Sequence, residues 1–207
     1  MMKTQLRGFC DYQQTLQQMR EITNHRTAQC QDELWLLQHP PVYTLGQSGG
    51  RRHILSPGAI PVVQSDRGGQ ATYHGPGQVV AYLLLDLRRA QLGARALVRC
   101  LQEVVAKVLA GYGICASDNA AAPGVYVGGK KIAALGLRVR RGCCYHGISL
   151  NVAMDLSPFD GINVCGYEGM QCTQMADFGF DGGAEDIMPV MARHLRAAFG
   201  GDKMTQP

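Results

Sequence analysis

Two periods of hydrophobic spacing run along this chain, and the changes from one to the other mark out its elements. From Ala94 to Tyr112, residues Leu97, Val98, Leu101, Val104, Val105, Val108 and Leu109 recur at i, i+3, i+4 and i+7, with Gly111 and Gly113 at the end. That spacing predicts a helix with one buried stripe. Tyr12 to about Cys30 carries Leu16, Met19, Ile22 and Thr23 at helical spacing behind Asp11, a residue suited to an N-cap, and predicts a long first helix. A last helix is expected from about Glu185 to Phe199, acidic in its first turn and with His194 and Arg196 near its end, where they complement the helix dipole.

Elsewhere the pattern is that of strands. Leu34 to Leu37 and Val42 to Leu45 are short apolar runs separated by Pro40-Pro41, read most simply as a kinked strand pair. Pro61 to Gln64 is strand-like, and Gln78 to Leu87 is a continuous apolar run of the kind a fully buried strand shows. Gly124 to Val127, Lys131 to Arg141 and Cys143 to Val152 follow, the last two joined through Gly142 as a hairpin. Val125 and Val127 alternate with Tyr126 and Gly128, while Leu135, Leu137 and Val139 alternate with Gly136, Arg138 and Arg140. One face is therefore expected to be buried and the other basic. Helices and strands intersperse without a βαβ rhythm, so the expected class is α+β, in a single domain over residues 1–207 whose tail frays after Gly200.

Composition narrows the function. With 46% hydrophobic residues in 207, the chain can bury one full core. No apolar run approaches the roughly 18 residues of a membrane span, and the N-terminus has no apolar signal core, so a soluble cytoplasmic protein is expected. Of the eight cysteines none forms a Cys-x-x-Cys, and Cys143-Cys144, His146, Cys165 and Cys172 lack the spacing of a structural zinc site. Reduced thiols, no metal and no cofactor are expected. The net charge of +4 gathers at Arg51-Arg52-His53, Arg88-Arg89, Lys130-Lys131 and Arg138 to Arg141, which suits either an acidic macromolecular partner or an ordinary solvated surface. One tryptophan and no basic–aromatic alternation argue against nucleic acid.

Candidate chemistry lies in four places. Arg67 to Gln78 packs four glycines, a proline, an arginine and a histidine between strand-like runs, a backbone shaped for close approach to a phosphate, an acyl chain or another backbone. Cys165, between an asparagine two residues before it and a glycine after it, is the thiol most available for reaction, although most cysteines are simply small buried hydrophobes. Lys130 and Lys131 occupy adjacent strand positions, so one of them must point inward, on the side of Ala133. His74 and His146 read as turn-stabilising or hydrogen-bonded core residues, with an acid–base role left open.

Arg-Gly-Gly-x-x-Thr-x-His-Gly-Pro-Gly-Gln at 67–78, Gly-x-Lys-Ile-Ala-x-x-Gly at 129–136, His-Gly-x-x-Leu-Asn at 146–151 and Asn-x-Cys-Gly at 163–166 together resemble the lipoyl(octanoyl) transferase family, in order over most of the chain. The resemblance implies an α+β fold like the catalytic domains of biotin and lipoate protein ligases, with mixed, largely antiparallel sheets flanked by helices. It implies transfer of an octanoyl group from octanoyl-acyl carrier protein to a lysine of apo lipoyl domains, those of 2-oxo acid dehydrogenase complexes and glycine cleavage H protein, without nucleic acid or membrane. Carried over by motif, Cys165 is the acyl-accepting nucleophile and Lys131 its activating neighbour. The substrate-binding elements are Arg67, Gly68, Gly69, Gln70, Ala71, Thr72, Tyr73 and His74, then Ala134, Leu135 and Gly136, then Gly147, Ile148 and Ser149. Val164 stands where the family often has proline.

Thioester exchange followed by amide formation needs no ATP. Gly68, Gly69, Ala71, Ala133, Ala134 and Gly136 are the small residues expected to line an apolar channel for the chain. Two other readings remain at this stage. One is an ATP-dependent lipoate or biotin ligase, which shares the fold and the lysine but does not require Cys165. The other is a non-catalytic module that binds acyl carrier or lipoyl domains, in which Cys165 is structural.

Overall fold

The computed structural model describes residues 2–117 and 123–200; the tail expected to fray after Gly200 lies outside the described residues. The chain runs β1 (Lys3–Phe9), α1 (Tyr12–His25), β2 (Glu33–Gln38), β3 (Val42–Leu45), β4 (Val62–Gln64), β5 (Ala71–His74), β6 (Gln78–Asp86), α2 (Ala94–Ala110), β7 (Val125–Val127), β8 (Lys130–Arg140), β9 (Cys143–Asn151) and α3 (Ala184–Phe199), with short 3-10 turns between. One sheet has the order β1-β2-β6-β9-β8-β7 and a smaller one β4-β3-β5. Among the described strands only β1–β2 and β3–β4 pair in parallel, so the fold is α+β with mixed, largely antiparallel sheets, as expected.

The continuous apolar run of β6 has a direct cause: both faces of the large sheet are covered. Val79, Ala81, Leu83 and Leu85 face α2 and α3, where Leu97, Leu101, Val105, Ile187, Met191 and Leu195 complete the main core. Val80, Tyr82 and Leu84 face α1, which contributes Tyr12, Leu16 and Met19. Each such side chain contributes about 1.5–3 kcal/mol when fully buried. Asp11 caps α1 by accepting from the Gln14 backbone N–H at 2.9 Å. The helix ends at His25 rather than near Cys30, because residues 25–31 carry no large aliphatic or aromatic side chain to extend the buried stripe.

Three expectations need correction. Leu34 to Leu37 and Val42 to Leu45 are not one kinked pair: Pro40-Pro41 passes the chain from the large sheet to the small one, and β3 pairs with β5. The glycine-rich stretch 67–78 is not all loop, since Ala71–His74 is itself a strand. Nor is one face of β7 and β8 simply basic, for Tyr126 is buried at 2% exposure and Ala134 and Gly136 face a cavity. β1, a polar edge strand with no clean alternation, has no signature that the hydrophobic pattern reveals.

Close strand approach places Gly147. A Cβ there would lie 2.0 Å from the Ala81 carbonyl oxygen of β6, a backbone atom that cannot swing away. We expect Gly147→Ala to destabilise the protein by about 1–3 kcal/mol in urea unfolding; unchanged stability would contradict this β6–β9 packing.

Candidate active site

Lys131 and Cys165 meet. The Lys131 Nζ lies 3.0 Å from the Cys165 Sγ and 3.3 Å from the Pro123 carbonyl oxygen, and it sits 5.3 Å from the centroid of the Tyr126 ring. Lys131 is 1% exposed while Lys130 is exposed, so the inward lysine is Lys131. It does not, however, share a face with Ala133. Val125 pairs with Ala133 but Tyr126 pairs with Lys131, so one residue of β7 is opposed by two of β8. This bulge sends both Ile132 and Ala133 into the main core and re-aims Lys131 to the opposite side, toward Cys165.

Cys165 occupies a 3-10 turn, Val164–Gly166, at φ 53° and ψ 21°, a left-handed conformation rare for a residue with a Cβ. Gly166 follows at φ 79°, a left-handed conformation that favours glycine. Val164, where proline was the alternative, is buried among Tyr43, Tyr73 and Phe159. The thiol is left half-buried beside a fully covered ammonium. Burial alone would pull the Lys131 pKa down, but the facing Cys165 sulfur and the hydrogen bond to Tyr126 outweigh it and raise the value.

Cys165 opens on a cavity between the two sheets. Its cavity volume is about 40 Å3, which makes it a narrow slot. Its floor is made of cross-strand rows: Ala134, Ser149 and Val80 in one, Gly136, Gly147 and Tyr82 in the next. The facing glycines Gly136 and Gly147 leave a trough with no side chains. Leu135 and Ile148 complete this side, and Gly69, Gln70, Thr72 and His74 form the wall opposite.

Not every expected residue lines the slot. Ala71 and Tyr73 point the other way by strand alternation, into the cluster with Tyr43 and Phe159. Gly68 binds through its backbone N–H to the Leu137 carbonyl at 2.8 Å, and Ala133 belongs to the main core. Arg67 reaches the slot but is chiefly a brace. Its buried guanidinium donates to Thr44 Oγ1 at 3.1 Å, Thr44 O at 2.7 Å, Gln70 O at 2.7 Å and Gly68 O at 3.0 Å, so most of its five N–H groups are fixed by the protein. Tyr12, Val80, Tyr82 and His146 also line the slot. Val80 and Tyr82 read in the sequence only as members of a buried strand.

The two histidines differ. His74 hydrogen-bonds through Nδ1 to Gln78 Oε1 at 2.6 Å and stacks on Tyr12; burial pushes its pKa down to about 3, so it is neutral at physiological pH. His146 stands at φ 65° inside β9, which brings it to the same side as its neighbour Tyr145, and the two rings stack at 4.9 Å. Both bind Asp66, His146 Nε2 at 2.9 Å and the Tyr145 hydroxyl at 2.5 Å, and Arg20 of α1 joins them at 2.9 Å. Burial alone would raise the Asp66 pKa; the hydrogen bonds from His146, Tyr145 and Arg20 prevail and hold it well below the carboxylate range.

A chain with this two-sheet fold and a Lys–Cys pair opening on an apolar slot is built like an acyl-handling catalytic domain. Residues 11–196 match the lipoyl protein ligase A/B catalytic domain family, and the chain belongs to that family. It is 58% identical over 198 residues to a protein named Octanoyltransferase from Ectopseudomonas mendocina (strain ymp), covering 93% of this chain and 95% of that one. Among solved structures, a lipoate-protein ligase A bound with ATP superposes with a TM-score of 0.77 at 16% identity, over 96% of this chain and 85% of its own. A biotin protein ligase from Aquifex aeolicus in complex with biotin and ATP superposes at 0.59 and 12% identity, over 99% and 73%. At such identities these likenesses establish the fold.

The Asp66 network links α1 and β9 to the residue before Arg67, and its pH dependence follows from the direction of the shift. The folded carboxyl titrates below the unfolded value of about 3.9, so its contribution is complete above that pH and is lost as pH falls toward the folded value. We expect Asp66→Asn to cost about 2 kcal/mol at pH 7 and to flatten the acid limb of the stability curve below pH 4. Parallel curves for both proteins would disprove the network's role.

Proposed function

We propose that this protein transfers an octanoyl group from an acyl carrier protein thioester to a lysine of a lipoyl domain, through a thioester on Cys165. The observation that carries the proposal is the 3.0 Å contact between Lys131 Nζ and Cys165 Sγ at an apolar slot. The octanoyltransferase relative at 58% identity supports the acyl group and the reaction class. The acceptors would be the lipoyl domains of 2-oxo acid dehydrogenase complexes and glycine cleavage H protein, in the cytoplasm.

The pair supplies a proton cycle that closes. The Cys165 thiolate attacks the donor carbonyl, the C–S bond to the carrier breaks, and the Lys131 ammonium protonates the departing carrier thiolate. Acylation consumes the negative sulfur that raises the Lys131 pKa. Burial then acts with less opposition and favours the neutral amine. The neutral Lys131 takes the proton of the attacking acceptor amine as the amide forms, and Cys165 leaves as thiolate, restoring the starting pair. The slot holds the chain meanwhile, each buried methylene contributing about 0.8 kcal/mol. An ATP-dependent ligation would not require the Cys165 thiol, so the acyl-enzyme distinguishes the two chemistries.

Mixing the protein with octanoyl carrier protein is expected to give an octanoyl adduct that peptide mapping places on Cys165 and that disappears on adding apo lipoyl domain. An adduct on any other cysteine would refute the assignment. Lys131→Met is expected to slow both adduct formation and transfer by roughly 100-fold or more; intact rates in both steps would remove its proton role. Where the basic groups at Arg51-Arg52 and Arg138 to Arg141 steer acidic partners, rates at subsaturating carrier fall as ionic strength rises, and salt-insensitive rates would exclude that steering.

A further inference from the structure

A slot for a chain has to end somewhere, and its end decides how long a chain it admits. Cys165 meets the slot from the side of β8, the strand that carries both Lys131 and Ala134. Two strands away across the sheet, the lining turns aromatic: Tyr82 from β6 and Tyr12 from α1, with the His74 and His146 rings beside them. Tyr12 stacks on His74 with ring centroids 5.9 Å apart, and Tyr82 meets His146 edge to face at 5.9 Å. The four rings form one wall.

Both tyrosines are tied by their hydroxyls to groups behind that wall. His39 Nδ1 donates to the Cys10 carbonyl at 2.6 Å, which leaves Nε2 of the neutral ring to accept from the Tyr82 hydroxyl at 2.8 Å. Burial holds His39 in that neutral form, with its pKa pushed down to about 4. The Tyr12 hydroxyl donates to Ser65 Oγ at 2.7 Å. Neither ring turns aside without leaving a buried polar group unpaired, and Leu16, Met19 and Leu84 pack in the same cluster and block retreat. The wall stops a chain by size rather than by being wholly apolar, since His146 Nδ1 is buried there without a hydrogen-bond partner among the described residues.

The distance to this wall suits eight carbons. Ala134, Ser149 and Val80 are cross-strand neighbours, so Val80 stands about 9–10 Å from Ala134, and Tyr82, the next residue on that face of β6, about 12 Å away on the diagonal. An extended chain reaches about 1.2 Å per bond, so the seven bonds of an octanoyl group span about 8 Å, and contact between its methyl and a ring adds about 4 Å. Gly136 and Gly147 share a cross-strand row with Tyr82, and their missing side chains leave the path open up to the ring. Decanoyl would overrun the wall by about 2–2.5 Å.

We propose that the Tyr82 ring, braced by His39, and the Tyr12 ring beside it end the acyl slot and set the length of the chain it admits. The inference rests on the octanoyltransferase reading and names what limits its substrate. His39 is a positioning residue: it stands outside the slot lining and acts by holding Tyr82.

The test offers the whole protein saturated acyl thioesters of N-acetylcysteamine, from hexanoyl to tetradecanoyl, and follows acylation of Cys165 by intact mass. The native rate is expected to fall beyond octanoyl; a dodecanoyl rate equal to the octanoyl one overturns the wall. Tyr82→Leu and Tyr82→Phe both deprive His39 of its donor, so the difference between them isolates the ring. Tyr82→Leu is expected to raise the ratio of decanoyl to octanoyl rates about tenfold, the scale of accommodating one or two further methylenes, while Tyr82→Phe keeps the native ratio. Equal ratios in the two variants overturn the assignment. His39→Leu is expected to raise the same ratio by freeing Tyr82, and a native ratio in that variant removes the positioning role. A photoreactive donor needs no variant: an octanoyl analogue with a diazirine at its penultimate carbon, loaded on Cys165 and irradiated, loses dinitrogen and inserts into the nearest bond. Adducts are expected in the peptides that carry Tyr12 or Tyr82, and adducts confined to other peptides overturn the proposal. Failure of the native protein to form a Cys165 thioester with any of the donors overturns the octanoyltransferase reading itself.

Discussion

The slot exists because one guanidinium is buried. Arg67 spends nearly all its donors on Thr44 of β3 and on the carbonyls of Gly68 and Gln70. The loop so fixed then hydrogen-bonds through Gly68 to Leu137 of β8. The small sheet is thereby held against the large one at a set separation. Burying a cation without a carboxylate partner costs several kcal/mol unless every hydrogen bond is made, and among the described residues no carboxylate pairs with Arg67. The motif's arginine is therefore less a substrate reader than the tie that spaces two walls.

The same low-dielectric interior serves the proposed chemistry in the opposite sense. At Arg67 burial is balanced by fixed dipoles, so the charge persists. At Lys131 it is balanced mainly by the Cys165 sulfur, whose charge the proposed acylation would remove. A bulge of one residue creates that condition by turning the lysine out of the main core. Arg67 and Cys165 both line the slot, and Lys131 contacts Cys165.

Much of this was legible in the sequence. The stripe of α2 and the hairpin of β8 and β9 follow from spacing alone, because each is local and its burial pattern is written in consecutive residues. The pairing of Lys131 with Cys165 came only through the family resemblance, since they are 34 positions apart. What spacing missed was decided by distant partners. Pro40-Pro41 looked like a kink until β3 found β5; Ala71 and Tyr73 looked like site residues until the motif proved to contain a strand, which alternates. One of the two lysines was expected on the face of Ala133 because a bulge cannot be read from a single strand. Tyr12 and Tyr82 were hidden as ordinary core aromatics, being both core and wall.

His146 deserves a different kind of reading, through selection. A side chain held at φ 65° within a strand carries strain of order ~1–3 kcal/mol that glycine would not. A chain drifting toward greater backbone stability would replace it, yet replacement would strip Asp66 of one donor and unsettle the register of the slot's floor. At this position backbone strain and the hydrogen bond to Asp66 act on stability in opposite directions. Engineering for thermal robustness should therefore leave His146 alone and look for gains on the outer faces of α2 and α3.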